Sequence, residues 1–104
     1  MIAEVKDKQN QLAELCRRYG VRRLELFGSA AVEAEFDNDR SDLDFLVEFL
    51  PEQDLGPWLK HYFELQEDLE RLFQRPVDLV MASGVRNPRF LRETNRTRQL
   101  VYAA

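Results

Sequence analysis

Apolar positions along this chain change period several times, and each change predicts an element. In residues 3–19, Val5, Leu12, Leu15, Cys16 and Tyr19 recur at roughly helical spacing and Gly20 stands as a stop, which predicts one helix. Residues 22–27 switch to alternation, Leu24 and Leu26 against Glu25 and Phe27, and predict a strand ending at Gly28-Ser29. A short helix is expected over 30–35, starting from Ser29, then a turn over 36–41. A second strand follows over 42–49, with Leu43, Phe45 and Val47 turned to the core. After a loop over 51–56, Pro57 suits the first turn of a long helix reaching Gln74, striped by Trp58, Tyr62, Leu65, Leu69 and Leu72. Arg75-Pro76 breaks that helix and 77–81 predicts a third strand. Asn87-Pro88 starts another helix, of about ten residues, and 99–102 a last short strand. The order α-β-(α)-β-α-β-α-β, without repeat, linker or low-complexity stretch, predicts one α/β (α+β) domain over residues 1–104.

A chain of 104 residues can bury a real core but is too short for two domains. Its formal net charge of −4 argues against general binding to a phosphate backbone, so no direct nucleic-acid contact is expected. That average hides an asymmetry. Residues 33–54 carry nine acids against one base, Arg40, whereas from Gly84 onward Arg86, Arg89, Arg92, Arg96 and Arg98 face one acid, Glu93. An acidic centre beside a basic tail suits a metal-bound polyphosphate; solvated faces are the plainer alternative. The arginines are candidates for contacts to such phosphates or to an acidic partner on the same footing. The single cysteine, Cys16, allows no intramolecular disulfide and reads as a small core residue. No apolar run approaches a membrane span and no signal peptide is visible, which leads to the expectation of a cytoplasmic protein without membrane contact. The one histidine, His61, reads as helix surface, and no Ser-His-Asp or Cys-His arrangement is credible.

The candidate chemistry lies in carboxylates set among apolar strand residues. Asp42 and Asp44 are two apart, so on a strand they share a side, with Cα atoms ~6–7 Å apart. Side-by-side negative charges are unfavourable unless a cation or solvent relieves them. Asp78 interrupts the apolar run Val77-Asp78-Leu79-Val80, where burial of a charge would need a reason. If the second and third strands are neighbours, Asp78 lies within one strand spacing, ~4.8 Å, of the pair. Gly28-Ser29 at a helix start would offer unpaired N–H groups and a hydroxyl to an anion. Three hard-oxygen ligands beside a phosphate cradle match what two-metal phosphoryl or nucleotidyl transfer requires. An EF-hand is a weaker reading of the same stretch: counting from Asp37, acceptors fall at Asp39 and Ser41 with Glu48 twelfth, but the sixth position is Asp42 instead of glycine and 43–49 read as strand.

Gly28-Ser29, then Asp42-Leu43-Asp44, then Asp78, in the context LFGS, SDLDFLVEF and RPVDLV, resemble the signature of minimal nucleotidyltransferases of the DNA polymerase β-like superfamily. The resemblance covers nearly the whole chain. It implies a small mixed sheet of about four strands packed with helices, with a palm-like core. It implies that Asp42, Asp44 and Asp78 hold two Mg²⁺ ions and that Asp78 also helps deprotonate an acceptor hydroxyl. Gly28 and Ser29 would then hold the triphosphate of ATP. Small members of that family are often antitoxins of HEPN-domain toxins, and some transfer AMP to a tyrosine of that partner. The resemblance therefore implies a small helical HEPN-type partner and leaves self-association open. In two respects the chain differs from many relatives: twelve residues, 30–41, separate Ser29 from Asp42, and Ala31-Val32-Glu33 stands where Ala-Arg-Gly is common. Those departures favour an alternative, a non-catalytic module that neutralises its partner by binding.

Overall fold

The protein, seen here in a computed structural model that describes residues 1–32, 36 and 42–104 (Trp58 by its backbone alone), is built on a four-stranded mixed sheet. Helices α1 (Ala3–Asp7) and α2 (Gln9–Arg18) lead into strand β1 (Val21–Phe27) and a 3₁₀ turn (Gly28–Ala31). Strand β2 (Leu43–Phe49) follows, then a 3₁₀ turn (Pro57–Leu59) running into α3 (Lys60–Phe73), and strand β3 (Val77–Met81). A last 3₁₀ turn (Ala82–Gly84), helix α4 (Pro88–Thr97) and strand β4 (Gln99–Ala103) close the described chain. The sheet order is β3-β2-β1-β4; β1 runs antiparallel to β2 and β4, while β2 and β3 are parallel and joined through α3.

The core forms on one face of this sheet. Leu24, Leu26, Leu43, Phe45, Val47, Val77 and Leu79 alternate onto it and meet Val5, Leu12 and Cys16 of the leading helices and Leu65, Leu69 and Phe73 of α3. Cys16 is fully buried, and that burial pushes its thiol up to about 12, so it packs as an inert small hydrophobe, as expected. The two strands drawn from alternation and the third drawn from its apolar run are present; β3 and α4 have the expected extents.

Three expectations change. The helix expected over 3–19 is two helices broken at Lys8, whose Nζ donates to the Leu72 carbonyl at 2.7 Å and stands over the Phe73 ring. Met1 and Ile2 are tied to the Ala31 and Ala30 carbonyls at the other end, so tertiary anchors divide a segment whose spacing alone is continuous. The long helix begins only at Lys60, because Leu59 adopts a left-handed φ of 56°, and it ends where Gln74 does the same before Pro76. The short helix expected over 30–35 is, in its described part, a 3₁₀ turn from Gly28 to Ala31; residues 33–35 and the turn over 37–41 lie outside the described residues. Residues 43–49 are strand, with Glu48 ion-paired to Arg22 at 3.6 Å, so the exit helix an EF-hand needs is absent.

Candidate active site

The second face of the sheet is only partly covered, and that is where the carboxylates stand. α4 crosses over β1: the Phe90 ring meets Phe27 edge-on at 5.6 Å, and Arg98, just past the helix, reaches Glu25. This lid explains why Glu25, predicted by alternation to face away from the core, is only 5% exposed. Its carboxylate accepts two bonds from Arg98, at 2.6 and 2.8 Å, and Arg23 stands 3.3 Å away. The Arg98 contact holds the Glu25 carboxyl below its ordinary value against the opposing effect of burial. Arg98 is thus a structural residue and not a free basic-tail cation.

Across this face β2 lies between β1 and β3, and Asp44 pairs with Phe27 on one side and Asp78 on the other. The parallel register sets Asp44 directly beside Asp78, at the adjacency expected for neighbouring strands. Asp78 is exposed on the edge strand, so its apolar flanks do not bury it; Val77 and Leu79 alone face the core. Asp42 immediately precedes β2, one residue outside the strand that was expected to include it, and is also exposed. Asp44 is the half-buried member. Burial, then Asp78, then Asp42 push its carboxyl up to about 6.

Gly28 ends β1 with a φ of 73°, and a Cβ there would lie 2.6 Å from the Asp44 Oδ2. Absence of a side chain is therefore what lets the turn and the carboxylate share one place. The expectation of unpaired N–H groups needs correcting in part: the Gly28 N–H donates to Thr97 Oγ1 at 2.8 Å, and the turn is 3₁₀, not the start of an α-helix. Any hold on phosphate at Gly28-Ser29 thus rests on the close backbone approach at Gly28 and the Ser29 hydroxyl, not on a helix dipole. Gly28→Ala is expected to destabilise the fold by about 1–2 kcal/mol through left-handed strain alone. It should also displace the Asp44 carboxylate. Chemical denaturation together with a transfer assay checks both, and wild-type behaviour in each would refute this account of the turn.

Among the described residues no group of three or more His, Cys, Asp or Glu side chains is gathered closely enough to hold an ion. The donors are nevertheless of the right chemistry, hard oxygens in mutual repulsion. Two of the three are exposed, and a divalent cation placed among them would offset the repulsion that raises the Asp44 carboxyl. In donor type and charge the residues fit Mg²⁺.

Thr97, Phe90 and Glu25–Arg98 were not singled out from sequence as parts of this face. Thr97 lies 69 positions from Gly28 and Arg98 lies 73 from Glu25, so no local pattern could announce either contact. His61 stands edge-on to Tyr19 at 6.3 Å, away from the aspartates, in keeping with its reading as part of the helix surface.

A mixed sheet carrying this Asp44–Asp78 register beside a glycine turn defines a class, the nucleotidyltransferases, and comparison with known proteins agrees. The family described as "Polymerase beta, Nucleotidyltransferase" matches residues 10–104, and the chain belongs to that family. The protein adenylyltransferase MntA of Thermococcus cleftensis is 43% identical over 74 residues, 71% of this chain and 69% of that protein. A solved structure described provisionally as a minimal nucleotidyltransferase is 29% identical, covers 91% of this chain and 90% of its own, and superposes with a TM-score of 0.71. Chains of two toxin–antitoxin complexes share the fold at 20% and 18% identity, with TM-scores of 0.68 and 0.65. They cover 92% and 96% of this chain and 73% of each of their own. One complex was solved with AMP-PNP; the other holds a tri-AMPylated Shewanella oneidensis HEPN toxin with its MNT antitoxin. Among the described residues no helix is long and apolar enough to cross a membrane.

Proposed function

We propose that this nucleotidyltransferase moves AMP from ATP onto a tyrosine hydroxyl of a HEPN-type partner and so acts as the antitoxin of a toxin–antitoxin pair. The observation that carries the reading is the register of Asp44 beside Asp78, with Gly28 packed against Asp44. The name of the Thermococcus cleftensis relative and the AMPylated toxin in a complex of the same fold support the choice of reaction and partner.

Asp42, Asp44 and Asp78 would hold Mg²⁺, which neutralises phosphate charge and lowers the pKa of an acceptor hydroxyl. Ser29 donates its hydroxyl to a phosphate oxygen, and the missing side chain at Gly28 lets the phosphate come close to the backbone. Asp78, exposed on the edge strand, is open to an incoming acceptor and takes the proton from its hydroxyl. The acceptor oxygen then bonds to the α-phosphorus as the bond to the bridging oxygen breaks, and pyrophosphate departs. Mg²⁺ has to displace the proton that the metal-free Asp44 carboxyl holds below about 6, so the Mg²⁺ concentration needed for half-maximal activity is expected to rise as the pH falls through about 6.

Incubating the purified protein with α-phosphate-labelled ATP, Mg²⁺ and lysate of its native host tests the reading, with Asp78→Asn as control. A labelled protein band formed by the wild type and lost in the variant supports it, and excision identifies the acceptor. Equal labelling with Asp78→Asn removes Asp78 from the chemistry. If Asp42→Ala combined with Asp78→Ala still neutralises the partner, the activity is simple binding.

A further inference from the structure

Among the described residues β3 is an edge strand, paired with β2 on one side and with no strand on the other. Peptide groups along a strand point alternately to its two sides, so every second residue of an edge strand turns its N–H and C=O outward, where they need partners. On β3 those residues are Val77 and Leu79, since the Pro76 carbonyl points inward and accepts from the Leu43 N–H at 3.2 Å. Their outward groups are met by side chains of α3. Glu70 Oε2 accepts from the Val77 N–H at 3.2 Å, and the Gln66 amide donates to the Val77 carbonyl at 2.9 Å. The Tyr62 hydroxyl donates to the Leu79 carbonyl. Tyr62, Gln66 and Glu70 are four apart and form one stripe of the helix. Each stands three residues before a core residue, Leu65, Leu69 and Phe73, so burying one stripe of α3 lays the adjacent one along the strand edge.

We propose that Tyr62, Gln66 and Glu70 are positioning residues for Asp78, which hold its strand in register beside Asp44; the inference rests on the nucleotidyl-transfer reading above. Val77 and Leu79 flank Asp78, so α3 fastens the backbone on both sides of the carboxylate, and the register with β2 sets it beside Asp44. β3 is only five residues long, and a short strand tied along one side alone can tilt or fray. The side chain of Asp78 itself points to the opposite face from Val77 and Leu79 and stays exposed, so the contacts fix its place without covering it. Position matters here, because a shift of ~1 Å at a reacting group can cost ~10²-fold in rate. None of the three residues touches substrate in this account; each acts through the Asp78 backbone.

Three variants test this. Tyr62→Phe removes the hydroxyl and keeps the ring with its edge-on contact to Phe63 at 5.0 Å. Glu70→Met removes the acceptor for the Val77 N–H, and Glu70→Gln restores an acceptor oxygen without the charge. Amide hydrogen exchange of the metal-free proteins reads the edge directly. In Glu70→Met the Val77 amide should exchange about tenfold faster or more while the β1 amides keep wild-type protection, and Glu70→Gln should protect Val77 again. Labelling of the acceptor in host lysate with α-phosphate-labelled ATP reads the consequence. At saturating Mg²⁺ the rate should fall about tenfold in Tyr62→Phe and in Glu70→Met, and the Mg²⁺ concentration for half-maximal labelling should rise several-fold. Glu70→Gln should recover both. Wild-type labelling and Mg²⁺ dependence in Tyr62→Phe and Glu70→Met overturn the proposal, as does unchanged Val77 exchange in Glu70→Met. A lower rate with unaltered Mg²⁺ dependence overturns it too, by assigning the stripe to fold support alone. So does a Glu70→Gln as impaired as Glu70→Met, which would assign the effect to charge. A wild type that labels nothing would reject the nucleotidyl-transfer reading, and this inference with it.

Discussion

Asp44→Asn is expected to reduce nucleotidyl transfer by ~10²-fold or more while raising the stability of the metal-free protein. On the proposed reading, the first effect follows from losing a carboxylate that would hold the Mg²⁺ ion neutralising phosphate charge, a contribution of several kcal/mol. The second follows from the environment of this carboxyl. It is pushed from 3.8 to about 6 by burial and by Asp78 and Asp42. Between those values the folded state binds more protons than the unfolded chain, so the Asp44 contribution to stability falls as pH rises and is fully unfavourable above about 6. At ~1.4 kcal/mol per pKa unit the shift would amount to ~3 kcal/mol, and partial access to water reduces this to about 1–2. With roughly 4–8 °C per kcal/mol for a domain of this size, the variant should melt several degrees higher at pH 7–8 in the presence of a chelator. The advantage should vanish near pH 4. A variant that transfers AMP at the wild-type rate would remove Asp44 from the site. One that gains no stability at neutral pH would refute the repulsion described here.

Arg98→Ala is expected to be among the most destabilising single changes in the chain, at about 2–4 kcal/mol. It leaves the Glu25 carboxylate, 5% exposed, with Arg23 at 3.3 Å as its remaining cation. Removing both charges, as Glu25→Leu with Arg98→Met, should recover most of the loss, since a buried pair replaced by apolar groups of similar volume is close to neutral. Denaturant titration of the two singles and the double measures the coupling. Purely additive losses would mean that the pair does not act as a unit. The linked pH effect has the opposite sign to that at Asp44. Glu25 is held below its ordinary value of 4.5, so its contribution is present above that pH and lost as the solution is acidified through the lower folded value. Because Arg98 directly follows Thr97, whose hydroxyl accepts the Gly28 N–H, loosening this corner should also disturb the glycine turn. Transfer is therefore expected to fall in Arg98→Ala even under conditions where the protein remains folded.

What could be read directly from the chain was whatever a segment dictates about itself. Alternation placed Leu24, Leu26, Leu43, Phe45 and Val47 on one face because side-chain direction along a strand depends only on the local backbone. Asn87-Pro88 marked the start of α4 because a cap bonds within one turn. The aspartates stood out because charge inside an apolar run is itself a local anomaly. The break at Lys8, the lid over Glu25 and the bond from Gly28 to Thr97 were not legible in this way. Each depends on a partner far along the chain, and no spacing rule reaches that distance. Residues Asp42, Asp44 and Asp78 were thus determined as candidates by sequence. Folding alone decided that Asp44 and Asp78 pair in register, that Gly28 lies against Asp44, and that one carboxyl is half-buried while its neighbours meet solvent. The reason is that register and burial are properties of strands and faces packed together, whereas a sequence pattern reports only which way each residue points.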